Sequence, residues 1–166
     1  VPDNSFKIVA YMPSYKDPTT VDDSKYKMIT HLLYAFINPN ASGDGSLNTV
    51  LQPTRFTTVI AKAKNYGVKT GISVSGDKNI FATIAASPTA RTKFTAQLLA
   101  FVKTNSLDGA DIDWEYPTAA DPSADNFVLL MGEQLKKFVG NGGERKGGYI
   151  QLLICHSMFL IAIKKQ

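Results

Sequence analysis

Residues 107–117 read LDGADIDWEYP, and this stretch decides how the rest of the chain is interpreted. It places three carboxylates at alternating positions, Asp111, Asp113 and Glu115. In a β-strand, alternate side chains share one face, and their Cα atoms lie about 6.6 Å apart. Crowded carboxylates do not all ionise at neutral pH, and the outermost is expected to hold a proton. A protonated carboxylic acid beside ionised partners is what general acid catalysis at a glycosidic oxygen requires.

These acids have three other interpretations: a solvated strand end, a calcium site and a helix N-cap. Calcium loops place their ligands on a turning backbone with an interior glycine. Here Ile112 and Trp114 alternate with the acids, which is typical of a strand with an apolar second face. We therefore favour an active site.

Composition limits the classes of function. The chain has 166 residues, which is ordinary for one domain, and it is 44% hydrophobic and 19% charged, so a packed core is expected. The net charge of +4, without a basic run that includes aromatics, argues against a nucleic-acid partner. No apolar run is long enough for a membrane span. The single cysteine excludes an intrachain disulfide, and the start at Val1 suggests a processed, secreted protein.

Apolar runs and turn residues predict an alternation of strands and helices. Strands are predicted at 7–12, 30–37, 69–75 and 109–115, with a possible fifth at 148–155. Apolar stripes with helical period begin at Phe56, Phe94 and Phe127, Ser87-Pro88 is typical of a helix start, and a short helix is expected near 23–28. From Tyr34 to Ser73 is 39 residues and from Ser73 to Asp113 is 40, which fits a repeated strand, loop and helix.

This order predicts an α/β fold with a parallel sheet, either doubly wound or closed into a barrel. No Gly-rich fingerprint follows the first strand, which disfavours a nucleotide cofactor, and no cofactor is expected. No His, Cys and Asp cluster has the spacing of metal ligands, so no metal is expected either.

The run 108–115 resembles the D-G-x-D-x-D-W-E signature of glycoside hydrolase family 18, the chitinase family, at every fixed position. The resemblance implies a parallel (β/α)8 TIM barrel, with the active site at the carboxyl ends of the strands. A full barrel needs about 250 residues, so only the first four to five βα units are expected here. Residues 1–139 would form the N-terminal half of the catalytic barrel. Residues 140–166 would form a Gly-rich linker and an apolar tail, either a fifth strand or an aberrant terminus.

The resemblance implies substrate-assisted retention, an exception to the usual two-carboxylate scheme. Glu115 would be the general acid, and the N-acetyl oxygen of the substrate would be the nucleophile. Asp113 would orient that acetamido group and stabilise its developing positive charge. Asp111 would lie deeper, share a proton with Asp113 and set its charge.

Other positions match family features at the ends of the predicted strands. Tyr11, Phe36, Ser73 and Tyr116 are expected to contact substrate or line the pocket, with Ser73 hydrogen-bonded to the deep aspartate. The segment 73–76 resembles the third-strand S-x-G-G motif, with Ser75 where glycine is usual. Trp114 alternates with the acids, so it is expected to point away from the pocket and pack between strand and helix.

The implied function is hydrolysis of β-1,4-linked N-acetylglucosamine polymers, with chitin or its oligosaccharides as the partner. Two alternatives stay open: an endo-β-N-acetylglucosaminidase acting on N-glycans, and a non-catalytic, lectin-like protein that binds chitin or other glycans. A half-barrel would expose a strand edge, so self-association through that edge is a further expectation.

Overall fold

The computed structural model describes residues 6–118 and 122–139, together with the backbone of residues 154–155 and 159–160. The strands are β1 (Val9–Pro13), β2 (His31–Ile37), β3 (Lys69–Ser75), β4 (Gly109–Asp113), β5 (Ile154–Cys155) and β6 (Phe159–Leu160). The helices are α1 (Asp23–Lys27), α2 (Pro53–Asn65), α3 (Lys78–Ala86), α4 (Pro88–Thr104) and α5 (Ser123–Val139), with a 3-10 turn at Pro18–Thr20. The predicted alternation of strands and helices is confirmed over this part of the chain, while α3 was not predicted.

The first four strands form one parallel sheet in the order β1-β2-β3-β4. The register places Ser73 opposite Asp111 and Ser75 opposite Asp113. Because sequential parallel strands need a crossover on one side of the sheet, the helices between them cover a single face. The α/β class and the parallel sheet are therefore as predicted.

Alternation along the strands separates a core face from a polar face. On the core face, Tyr34, Ile72 and Ile112 are buried with residues of the helices. Tyr34 packs edge-on against Phe56 of α2, with ring centroids 5.3 Å apart, and its hydroxyl donates to the Leu51 carbonyl at 2.9 Å. The opposite face carries the polar and acidic side chains of the site. None of the helices in the described ranges is long and apolar enough to cross a membrane.

Helix α4 begins as its sequence predicts. The Ser87 side chain accepts a hydrogen bond from the Ala90 amide at 3.3 Å, and Pro88 occupies the first helical position. Proline has no amide hydrogen to leave unpaired at that position, and its fixed φ suits a helix start. Helix α3 ends at Ala86, so the single residue Ser87 separates it from α4.

The predicted fourth strand was too long, because β4 ends at Asp113 and leaves Trp114 and Glu115 outside it. The last residue pair between β3 and β4 is Ser75 and Asp113. After Ser75 the backbone of β3 turns away from β4, and helix α3 begins with Asp77 as its N-cap. Glu115 thus has no strand partner on that side.

The described part of the predicted fifth strand is short. Ile154–Cys155 pairs antiparallel with Phe159–Leu160, and β5 lies close to β4. The rest of the predicted strand at 148–155 lies outside the described residues. The predicted linker and apolar tail at 140–166 lie there too, apart from these two short strands.

Candidate active site

The three acids of the 107–117 stretch lie at successive depths at the carboxyl end of the sheet. Asp111 is completely buried, Asp113 at the end of β4 is partly exposed, and Glu115 just beyond the strand is exposed. The polar face of the sheet therefore presents one carboxylate to solvent, a second beneath it and a third at the bottom. Their catalytic roles remain predictions.

Asp111 is held by hydroxyl groups from two other strands. The Ser73 hydroxyl donates to Asp111 Oδ2 at 2.6 Å, and the Tyr11 hydroxyl donates to the same oxygen at 3.1 Å. The predicted bond between Ser73 and the deep aspartate is confirmed. Because hydrogen bonds to a carboxylate are stronger than neutral ones, these donors fix the orientation of the buried group.

The contact between Tyr11 and Asp111 reveals the curvature of the sheet. Tyr11 lies on β1 and Asp111 on β4, and these are the outer strands of four. In a flat sheet, strands three positions apart would be separated by about 14 Å, and their side chains would stand roughly perpendicular to the sheet. The hydroxyl reaches the carboxylate only because the sheet curls around its polar face. That face is therefore concave.

Tyr11 acts as a neutral donor within this concavity. Burial raises the pKa of Tyr11 far above its ordinary value, and the negative charge and hydrogen bond of Asp111 and the charge of Asp113 raise it further. Tyr11 consequently keeps its hydroxyl proton at any physiological pH and can always donate to Asp111.

Trp114 points away from the acids, as predicted. It is completely buried, stacks on Phe81 of α3 with ring centroids 5.7 Å apart, and meets Phe127 of α5 edge-on at 5.8 Å. Its position between the flanking acids therefore serves packing between the sheet and its helices.

Phe36 and Tyr116 lie at the rim of the concave face. Phe36 falls at a bulge, since the register shifts between Ala35 and Ile37 so that Ile37 pairs with Val74. It is partly exposed at the carboxyl end of β2. Tyr116 follows Glu115 directly and is 48% exposed. Phe36 thus lies at the carboxyl end of the sheet and Tyr116 beside Glu115 in the chain, and their sugar contacts remain predictions.

Asn38 is a residue of this region that the sequence reasoning missed. It follows β2, and its Nδ2 donates to the carbonyl oxygen of Ser75 at 2.5 Å. The contact ties the loop after β2 to the last residue of β3. A polar side chain directly after a buried strand was the available signal, because parallel strands end at the same edge of the sheet.

Asp108, a fixed position of the signature, lies at the opposite end of β4 from the acids. Its carboxylate accepts from the Thr70 amide at 2.8 Å and pairs with Lys69 at 2.9 Å. At the same end, Gly109 lies opposite Gly71, where a Cβ on Gly71 would come within 3.0 Å of the Gly109 oxygen. These residues join the strands and take no part in the site.

Within the described ranges, no lysine or arginine forms an ion pair with either of the outer two acids. The ion pairs among the described residues join lysine or arginine to Asp23, Asp44, Asp108 and Glu133. Asp113 and Glu115 belong to none of these. In the same part of the chain, no group of three His, Cys, Asp or Glu residues is placed to hold a metal ion. The concave face is thus acidic, which suits a reaction that develops positive charge.

Comparison with known proteins agrees with this geometry. The chain is 30% identical over 155 residues to a class V chitinase of Arabidopsis thaliana, covering 90% of this chain and 39% of the relative. It is 33% identical to the secreted chitinase LysM12 of Penicillium expansum, covering 82% of this chain and 10% of that protein. The chain thus spans well under half the length of these relatives.

Solved structures give the same assignment. A family 18 chitinase of Cycas revoluta, crystallised with (GlcNAc)3, superposes with a TM-score of 0.66 at 26% identity, covering 78% of this chain and 40% of the other. The solved neighbours are TIM barrels, so the curved sheet is the first part of such a barrel, as the resemblance implied. The family described as Glycosyl hydrolases family 18 matches residues 7–156. With most of its length matched, the chain belongs to glycosyl hydrolases family 18.

Proposed function

We propose that the chain carries the catalytic acids of an enzyme that hydrolyses β-1,4-linked N-acetylglucosamine in chitin. The observation that supports this most directly is the graded burial of three carboxylates on one concave face, with Asp111 deepest and Glu115 exposed. The relatives named as chitinases support the substrate, and the bound (GlcNAc)3 of the Cycas structure supports the size of ligand.

Glu115 acts as the general acid in this proposal. It gives its proton to the oxygen that leaves the anomeric carbon, while the carbonyl oxygen of the substrate's own N-acetyl group attacks that carbon. The glycosidic bond breaks and an oxazolinium ring forms. Glu115, now a carboxylate, then takes a proton from water, which opens the ring at the anomeric carbon with overall retention.

Asp113 acts on the charged intermediate. Its carboxylate orients the acetamido group and stabilises the positive charge that develops as the ring closes. Asp111 supports Asp113 from below, with its own position fixed by Tyr11 and Ser73. Because no lysine or arginine of the described ranges pairs with Asp113, its charge is available to the intermediate.

The test is release of a fluorophore from a β-linked N,N′-diacetylchitobiose substrate by the chain and by Glu115→Gln. Glu133→Gln is the matched control, because it makes the same chemical change in a glutamate that pairs with Arg91 on the helical layer. We expect turnover to be lost in Glu115→Gln alone, with binding of chitin oligosaccharides retained, since only the proton is removed. Undiminished hydrolysis by Glu115→Gln would refute the assignment.

The same assay separates the two alternatives. Release of an intact glycan from a glycoprotein, without release from chitin oligosaccharides, would identify an endo-β-N-acetylglucosaminidase. A folded chain that binds both ligands and cleaves neither would be a lectin-like protein if the same sequence is also inactive within a full-length barrel. Either outcome would replace chitin hydrolysis as the function.

Secretion and self-association remain predictions. The name of the Penicillium relative includes the word secreted, which supports an extracellular location. In the four-stranded sheet, β1 pairs only with β2 and forms an edge. Sedimentation velocity over a range of concentrations measures whether that edge joins two copies, and a single monomeric species would exclude it.

A further inference from the structure

We infer that Ser75 is a positioning residue that holds the Asp113 carboxylate through a hydrogen bond from its hydroxyl, an inference that rests on the proposed function. Residues 73–76 resemble the S-x-G-G motif of the family, and Ser75 occupies the position of its first glycine. This chain therefore has a hydroxyl group at a position where glycine has no side chain. Its place at the end of β3 puts that hydroxyl beside the acid that is proposed to stabilise the intermediate.

The strand register sets this relation. Ser73 pairs with Asp111, and Ser75 pairs with Asp113, one step further along the same two strands. Residues two apart on a strand share a face, so both pairs project into the concavity. Neighbouring strands lie about 4.8 Å apart, which allows a serine hydroxyl to reach the carboxylate of its partner.

The pair Ser73 and Asp111, which lies deeper in the concavity, shows that a serine hydroxyl on β3 can reach the aspartate opposite it on β4. Ser73 donates to Asp111 at 2.6 Å across the β3–β4 ladder. The outer pair repeats the same residue types in the same register. The structure shows no hydrogen bond between the Ser75 hydroxyl and the Asp113 carboxylate, and neither group has a different partner among the described residues, so a turn of the Ser75 side chain is what would join them.

Contacts with the loop after β2 fix the backbone of Ser75. Asn38 donates its side-chain amide to the Ser75 carbonyl at 2.5 Å. The next residue is also confined, since a Cβ on Gly76 would lie 3.0 Å from Pro39 Cδ. The loop after β2 therefore fixes the end of β3 and with it the direction of the Ser75 Cβ. A hydroxyl on a fixed backbone can hold a partner in one orientation at little entropic cost.

In this inference the two serines of β3 hold different carboxylates. Ser73 holds the buried carboxylate that supports the site, and Ser75 holds the carboxylate that faces the reacting sugar. Because the oriented charge of Asp113 matters most when the oxazolinium ion forms, loss of the Ser75 hydroxyl is expected to lower kcat more than it raises KM.

The first measurement is the ¹³Cγ spectrum of the chain labelled in its aspartates, at neutral pH, for wild type, Ser75→Ala and Ser75→Thr. We expect Ser75→Ala to move the Asp113 resonance and leave that of Asp111 in place, while Ser75→Thr, which keeps the hydroxyl, restores the wild-type position. Ser73→Ala is the matched control, since it should move Asp111 and leave Asp113. An Asp113 resonance that stays fixed in Ser75→Ala overturns the inference.

The second measurement is the rate of hydrolysis by the same variants. We expect about a tenfold loss of kcat in Ser75→Ala with KM nearly unchanged, and recovery in Ser75→Thr, because a hydrogen bond to a charged group is lost and then restored. An unchanged kcat in Ser75→Ala also overturns the positioning role. Absence of hydrolysis by the wild-type chain would refute hydrolysis by this chain alone, and the spectra would still decide whether Ser75 holds Asp113.

Discussion

Replacing Ser73 with alanine tests how the deepest acid is held. Ser73 and Asp111 are both completely buried, and the hydroxyl lies 2.6 Å from Oδ2. The substitution removes one oxygen atom, so the change in packing is small. A hydrogen bond to a charged group contributes roughly 1.5–3 kcal/mol, so Ser73→Ala is expected to lower the free energy of unfolding by about that amount.

The assay is urea unfolding followed by tryptophan fluorescence. Trp114 is the single tryptophan of the chain and is buried beside the strand that carries Asp111, so its emission reports the unfolding of this region. The same substitution is then made in an Asp111→Asn background, where Ser73 can form only a neutral bond of about 0.5–1.5 kcal/mol. The cost of Ser73→Ala should fall by about 1 kcal/mol in that background.

Equal costs in the two backgrounds would refute the reasoning, because the serine would then act through packing and not through the charge of Asp111. A cost below about 0.5 kcal/mol in the wild-type background would also refute the reasoning, because the hydrogen bond would then contribute less than an ordinary neutral one. Tyr11→Phe supplies a graded comparison. Its bond to the same oxygen is longer, at 3.1 Å, and Tyr11 is only partly buried, so the expected loss is smaller.

Three further predictions concern residues outside the proposed catalytic acids. Trp114→Ala should cost about 3–5 kcal/mol of stability by urea unfolding followed by circular dichroism, because the stack on Phe81 is lost; a cost under ~1 kcal/mol would contradict the packing role. Burial lowers the pKa of His31 below its ordinary value of 6.5, so the unfolded chain takes up the proton first and stability should fall as pH drops below about 6.5; His31→Asn should flatten this dependence, and an identical slope would contradict it. Gly45→Ala should cost more than about 1 kcal/mol, since φ is +88° and the new Cβ would lie 2.2 Å from the Ala90 carbonyl oxygen; a neutral effect on the urea midpoint would contradict this.

Local pattern predicted much of the fold. The alternation of acids with Ile112 and Trp114 correctly separated the two faces of β4, because side-chain direction along a strand depends only on position parity. The spacing of about 40 residues between strands correctly predicted the parallel sheet, since each crossover needs room for a helix. The bond between Ser73 and Asp111 followed from the resemblance, and the structure bears it out.

Contacts between distant strands were beyond the reach of the sequence. The hydroxyl of Tyr11 meets a carboxylate 100 positions later, and the meeting depends on the curvature of the whole sheet. The early end of β4 depends on where β3 turns into α3, which is a property of the neighbouring strand. The amide of Asn38 likewise finds its acceptor on another strand. In each case the deciding partner lies on a different element, so a local pattern could at most mark a residue such as Asn38 and could not identify its partner.

The aspartates at the two ends of β4 differ in their partners, and the difference supports the proposal that one end serves stability and the other serves catalysis. At the amino end, Asp108 is paired with Lys69 and accepts a backbone amide, which joins β3 to β4. At the carboxyl end, Asp113 has no ion-pair partner among the described residues. Leaving like charges close together on one face costs stability, so a fold selected for stability alone would have paired them with cations. In the proposed mechanism, a carboxylate kept free of cations is instead available to stabilise the oxazolinium cation, which exists only during the reaction.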